Sequence, residues 1–149
     1  MVIAIFGESC TGKSTIADYI KERLGAATDI YSGKDYLRLA KNEADAARAF
    51  EALLQEKSGS NDNVIFVTGD ITHLAMLPEN CVRVLTTADI ELIKKRFSER
   101  TGGTLPPPVA QMLERKHGQF DNEKHDIRIV SGVTESVDAC AEVLKFIGM

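Results

Sequence analysis

Two hydrophobic patterns alternate along this chain. Residues 2–6 (Val-Ile-Ala-Ile-Phe) and 64–67 (Val-Ile-Phe-Val) are short unbroken apolar runs, the pattern of strands buried on both faces of a parallel sheet. Residues 26–31, 81–85 and 126–130 read as three further strands. Between them the period changes. From Lys13 to Leu24 the apolar residues Ile16, Ala17, Ile20 and Leu24 share one stripe, and Gly25 supplies a stop. Residues 35–41 and 44–57, rich in Ala, Leu, Glu and Lys, predict two more helices. Another starts behind Asp89 as N-cap and runs to about Glu99. A basic helical piece ends in Arg115-Lys116-His117-Gly118, and residues 135–147 form a closing helix. Residues 58–63 and 101–108 are the clearest loops, the latter carrying Gly102-Gly103 and Pro106-Pro107-Pro108. Strands alternating with helices predict an α/β fold of three layers, α/β/α, with ligands at the carboxyl ends of the strands.

Composition narrows this picture. A chain of 149 residues supports one core, so residues 1–149 read as a single domain. Hydrophobic residues are 44% and charged residues 27%, which excludes intrinsic disorder. Eighteen basic against 22 acidic residues give a net charge of −4, which argues against a nucleic-acid partner. No apolar run approaches the roughly 18 residues that span a bilayer, and the start lacks a signal-peptide pattern. Cys10, Cys81 and Cys140 have neither the number nor the spacing of a disulfide or zinc scaffold. The expectation is a cytoplasmic protein without a membrane partner, monomeric or a small homo-oligomer.

The chemistry is densest at Gly7-Glu8-Ser9-Cys10-Thr11-Gly12-Lys13-Ser14, which fits GxxxxGK[ST] at every fixed position between a strand and a helix. Glycines let successive N–H groups turn inward onto phosphate oxygens, and the helix start adds its positive dipole end. Gly7 to Thr15 therefore read as the nucleotide-binding loop. Lys13 is the mobile charge for the β and γ phosphates, and the Ser14 hydroxyl is a ligand for Mg²⁺. A regulatory GTPase is excluded, because no aspartate has glycine three residues later and no Asn-Lys dipeptide occurs. A small kinase using ATP and Mg²⁺ remains. Arg96 and Arg100 lie four apart on one helix face, and Arg115 follows the glycine-proline loop. Guanidinium forks of this kind stabilise a phosphoryl group in transit.

On these residues the chain resembles the nucleoside-monophosphate kinase family of P-loop proteins, adenylate kinases in particular. Besides the phosphate loop, Ile30-Tyr31-Ser32-Gly33-Lys34-Asp35-Tyr36-Leu37-Arg38 resembles that family's acceptor-binding stretch, and residues 92–100 resemble its helix leading into the lid. The resemblance implies a five-stranded parallel sheet in the order 2-3-1-4-5, acceptor-binding helices over about 32–58 and a short lid over about 102–118. It implies that Arg38 grips the acceptor, that Arg96 packs near the ATP base and that Arg100 contacts the transferring phosphates. Two departures count against particular acceptors. The stretch after the third strand reads Thr68-Gly69-Asp70-Ile71-Thr72, without the arginine of adenylate kinases, and the triple glycine of shikimate kinases is absent. Asp70 is a candidate for the Mg²⁺ water shell, and Lys116 and His117 are rivals of Arg115 in the lid.

Asp29 and Asp35 flank the acceptor region, and either is a candidate base for an alcohol acceptor. Asp35 equally suits a helix start. His73 follows a strand end, and Tyr31 and Tyr36 line either the acceptor pocket or the core. The functional expectation is transfer of the γ-phosphoryl of MgATP to a nucleoside monophosphate or similar small acceptor. An NTP hydrolase and a non-catalytic nucleotide-binding regulatory module are the alternatives.

Overall fold

The computed structural model describes residues 1–149. Five strands, β1 (Val2–Gly7), β2 (Thr28–Ser32), β3 (Asn63–Thr68), β4 (Val82–Thr87) and β5 (Ile127–Val130), alternate with helices. The helices are α1 (Lys13–Leu24), α2 (Glu43–Ser58), α3 (Ile90–Arg100), α4 (Pro107–Lys116) and α5 (Ser136–Phe146). Every strand pair is parallel and the order is β2-β3-β1-β4-β5, as the resemblance implied. Central β1 is buried along its whole length, which explains its unbroken apolar sequence.

Strand alternation still operates inside that run. Ile3 and Ile5 face the layer built by α1 and α5, where they meet Ile16, Ile20, Val143 and Leu144. Val2 points the other way with Val64 and Phe66 against Phe50 and Leu54 of α2, while Ala4 and Phe6 pack with Leu85 and Phe120. The two cores pin β1, so the loop leaving its carboxyl end starts from a rigid base.

Three local expectations need correction. Residues 35–41 do not form an α-helix; Asp35–Leu39 is a 3-10 segment. The Asp35 carboxylate accepts from Ser32 N at 2.9 Å, and seven residues on Asn42 caps α2 by accepting from Asp45 N at 2.9 Å. The chain makes one tight 3-10 stretch between these anchors and is already extended at Ala40. A second 3-10 segment, Ile71–Met76, follows β3 and was not legible in the pattern. Pro107 and Pro108 belong to α4 rather than to the loop, since the first turn of a helix needs no donor from them. Asp89 stands at the N-cap of α3, but its side chain makes no capping bond.

The region expected to form the lid is thus mostly one docked helix. Leu113 of α4 packs with Ile93 of α3 and Ala88, ringed by Phe97, Leu105, Val109 and Met112. An ion pair between Lys94 and Glu114 closes the same contact. No helix is long and apolar enough to cross a membrane.

Candidate active site

The loop after β1 is shaped by its neighbours. A Cβ on Gly7 would lie 2.1 Å from the Thr86 carbonyl oxygen of β4, so only glycine lets the two strands meet there. Gly12 has φ 85° and Cys10 has φ 62°, a left-handed conformation that costs a non-glycine residue about 1–2 kcal/mol. Thr11, fully buried, secures this geometry. Its hydroxyl donates to the Glu8 carbonyl at 2.8 Å and forms a 2.6 Å hydrogen bond with the Thr86 hydroxyl.

None of the backbone N–H groups from Ser9 to Thr15 donates to a protein acceptor. Orphan donors in such number are an anion site, as the first turn of α1 leaves its own donors free. A cavity of about 220 Å³ opens over them, walled by Ser9 to Thr15, Gly69 and Arg100. Lys13 reaches back across the loop, donating to the Gly7 and Glu8 carbonyls at 3.0 and 2.6 Å. Burial, with a smaller contribution from Arg100, lowers its pKa from 10.5 to about 8, against the opposing pull of Cys10 and Glu8. The cradle therefore concentrates backbone donors and positive charge.

The predicted residues separate here. Gly7 to Thr15 converge as expected, and Arg100 joins them at the cavity wall. Arg96 faces a different partner: its guanidinium donates to the Cys10 carbonyl at 2.9 Å and to the Ser131 hydroxyl at 2.6 Å. It braces the loop against the segment after β5 and does not line the cavity. Arg115 points away, onto an outer surface hollow shared with Pro108, Gln111 and Glu114 that has no residue in common with the loop. The cause is helical phase, because Leu113 must face inward and turns Arg115 outward. Lys116, one residue on, instead lines a small cavity of about 50 Å³ with Glu8, Ser9, Gly69 and Gln119.

In the stretch expected to bind the acceptor, Arg38 is exposed and stacks over Tyr31, 4.7 Å from the ring centroid. Asp35 is exposed beside it, with one oxygen engaged by Ser32 N. Tyr31 and Tyr36 are core aromatics, their ring centroids 5.0 and 5.4 Å from Phe50. Asp29 pairs with Val64 near the amino end of β3, at the wrong end of the sheet for a base. Asp70 does not line the cavity; one oxygen caps the second 3-10 segment, accepting from Thr72 N at 2.9 Å and Thr72 Oγ1 at 2.6 Å. These bonds hold its carboxyl below the usual range. His73 is buried, with Nδ1 2.6 Å from Thr68 Oγ1, and burial lowers its pKa.

Sequence reasoning missed Thr86, Ser131 and the Glu8 side chain. Ser131-Gly132 directly after a strand was the available signal, because Gly132 has φ 90° and a Cβ there would meet Leu92 at 2.6 Å.

Sheet order, phosphate loop and flanking arginine together define the fold of the P-loop kinases. No protein-family model matches the sequence, and no curated protein matches it. Solved structures do. The chain is similar to shikimate kinase from Acinetobacter baumannii, in complex with shikimate, at TM-score 0.67 and 16% identity over 98% of this chain and 92% of that one. It is similar to a sugar kinase from Janibacter sp., at TM-score 0.68 and 14% identity over 98% and 93%. YorR protein of Bacillus subtilis, in complex with phosphorylated GDP, matches at TM-score 0.70 and 15% identity over 99% and 95%.

Proposed function

We propose that this protein is a small-molecule kinase that transfers the γ-phosphoryl of ATP to a small acceptor, a nucleoside monophosphate or similar compound. The observation that carries the reading is the row of free N–H groups from Ser9 to Thr15 around a buried, partly deprotonatable Lys13. Such a cradle suits the β and γ phosphates. Lys13 leaves the Gly7 and Glu8 carbonyls to meet them, and its pKa returns upward as it gains an anion. Arg100 lines the cavity, which supports assigning it to the charge that develops on the γ-phosphoryl. The bond between the γ-phosphorus and its bridging oxygen breaks as the acceptor oxygen bonds to phosphorus, with ADP as leaving group.

The donor set also fits Mg²⁺. Ser14 offers one exposed hydroxyl at the cavity and no carboxylate cage surrounds it, which suits an ion that keeps its waters and substrate phosphates as ligands. When bound, Mg²⁺ neutralises charge on the β and γ oxygens. Asp70 lies outside the cavity wall with one oxygen taken by Thr72, and would hold a water of that shell only through its other oxygen. The acceptor belongs over the first 3-10 segment, where Arg38 offers its guanidinium to an acidic group and Asp35 its free oxygen to a hydroxyl.

ADP release with MgATP, alone and with nucleoside monophosphates, nucleosides and small hydroxy acids, tests this reading. A rate increase with one acceptor class, lost in Lys13→Ala, is expected. Turnover indifferent to every acceptor identifies a hydrolase, and binding without turnover identifies a regulatory module.

A further inference from the structure

Glu8 occupies a position of the phosphate loop where the motif accepts any residue, yet its carboxylate is buried. Both oxygens are engaged by the far end of the lid. Oε1 lies 3.0 Å from His117 Nδ1, and Oε2 accepts from Gly118 N at 3.1 Å. These are the two residues that follow Lys116, the last residue of α4. A bidentate clasp across more than a hundred residues of chain therefore ties the end of α4 to the loop that cradles phosphate. The main chain of Glu8 takes part as well, since its carbonyl accepts from Lys13 Nζ and from Thr11. A buried carboxylate beside an anion site is unfavourable unless it performs a compensating task.

We infer that Lys116, not Arg115, is the lid residue that meets the transferring phosphoryl group, and that Glu8 is the positioning residue that aims it. This rests on the kinase reading above. Lys116 shares a cavity wall with Ser9 and Gly69, which also wall the phosphate cavity. Arg115 lies on another face of α4, among Pro108, Gln111 and Glu114. The clasp acts one and two residues beyond Lys116, so a shift of α4 along its axis is checked where the ammonium must point. Gly118, at φ 82°, allows the chain to turn so that its N–H faces Glu8.

The test compares Lys116→Ala, Arg115→Ala, Glu8→Gln, His117→Ala and the double variant Glu8→Gln/Lys116→Ala. With a responsive acceptor, Lys116→Ala is expected to lower kcat roughly 100-fold or more, as loss of one transition-state donor does, with KM for ATP raised by no more than the roughly tenfold that calorimetry reads for ATP binding. Arg115→Ala costs less than about threefold. Glu8→Gln keeps one acceptor for the clasp and loses about tenfold in kcat, and His117→Ala, at an exposed position, loses a similar factor. The double variant is no slower than Lys116→Ala alone, because Glu8 acts through Lys116. Titration calorimetry with MgATP and MgADP supplies a readout independent of the acceptor. Lys116→Ala lowers the preference for ATP over ADP about tenfold, leaving ADP affinity intact. Larger loss from Arg115→Ala, additive losses in the double variant, or an unchanged ATP-to-ADP ratio in Lys116→Ala overturns the inference while leaving the kinase reading in place. Wild-type protein that binds neither nucleotide overturns both.

Discussion

Lys13→Met should make the protein more stable while disabling it. The ammonium sits in a partly buried cavity, held by two carbonyls, with Arg100 near and only a weak opposing pull from Cys10 and Glu8. Its pKa falls from 10.5 to about 8, which at about 1.4 kcal/mol per pH unit makes the charged form about 3 kcal/mol costlier in the folded chain. Water reaches part of the side chain, so about 1–3 kcal/mol is the expected gain on replacement at pH 7. For a domain near this size that raises Tm by roughly 3–10 °C. The sign of the pH dependence is fixed by the same numbers. Between about pH 8 and 10.5 the folded chain has released the proton that the unfolded chain still binds, so wild-type stability rises with pH in that window. The methionine variant lacks this term. Its advantage in Tm should be full at pH 7 and largely gone by pH 10. Differential scanning calorimetry of both proteins at pH 7, 8, 9 and 10 measures it, and MgATP added at pH 7 should raise Tm in the wild type only. A variant that melts at or below the wild type at pH 7, with a gap constant to pH 10, would refute the claim that Lys13 is an uncompensated charge.

Other perturbations probe the supports of the loop and lid. Gly7→Ala places a methyl 2.1 Å from the Thr86 carbonyl oxygen and should cost about 3 kcal/mol or more in urea unfolding. Thr11→Val removes the hydroxyl that meets Glu8 O and Thr86 Oγ1, an expected loss of about 1–3 kcal/mol by the same assay. Ile93→Ala hollows the contact between α3 and Leu113 and should cost about 2–4 kcal/mol, with faster amide exchange in α4. His73 is buried with its pKa lowered from 6.5, so the unfolded chain binds the proton first as pH falls below 6.5 and stability drops there. Thermal scans from pH 7.5 to 5.5 should show a steeper decline for wild type than for His73→Gln.

What the sequence made legible divides along a physical line. The strands and the phosphate loop were readable because each depends on local pattern, whereas the sheet order came from the family resemblance. Unbroken apolar runs mark buried parallel strands, and a glycine-framed lysine and serine between strand and helix mark the cradle. The first 3-10 segment was misread because helix propensity is blind to anchors on either side, here the Asp35–Ser32 bond and the Asn42 cap. Arg115 was misplaced for a related reason. Charge and position in the lid favoured it, but the phase of α4 is set by Leu113 docking on Ile93, a contact between helices that the sequence does not display. Arg96 shows the limit most clearly, since spacing put it on the same face as Arg100, yet its partners lie on two separate loops.

Those long-range contacts share a target. Thr86 of β4 reaches Thr11, Arg96 of α3 reaches the Cys10 carbonyl and ties it to Ser131 beyond β5, and the end of α4 clasps Glu8. Each bond uses a residue at a position the phosphate-loop motif leaves open. The fixed positions face the ligand, while the variable ones are available to face the protein. In this chain Glu8, Cys10 and Thr11 take up that task and connect the loop to β4, α3 and α4. A nucleotide that draws Lys13 away from the Glu8 carbonyl therefore acts on the residue whose side chain holds the lid. Because the Glu8 carboxylate holds the end of α4 and not the row of N–H donors, a substitution there should alter turnover more than nucleotide affinity.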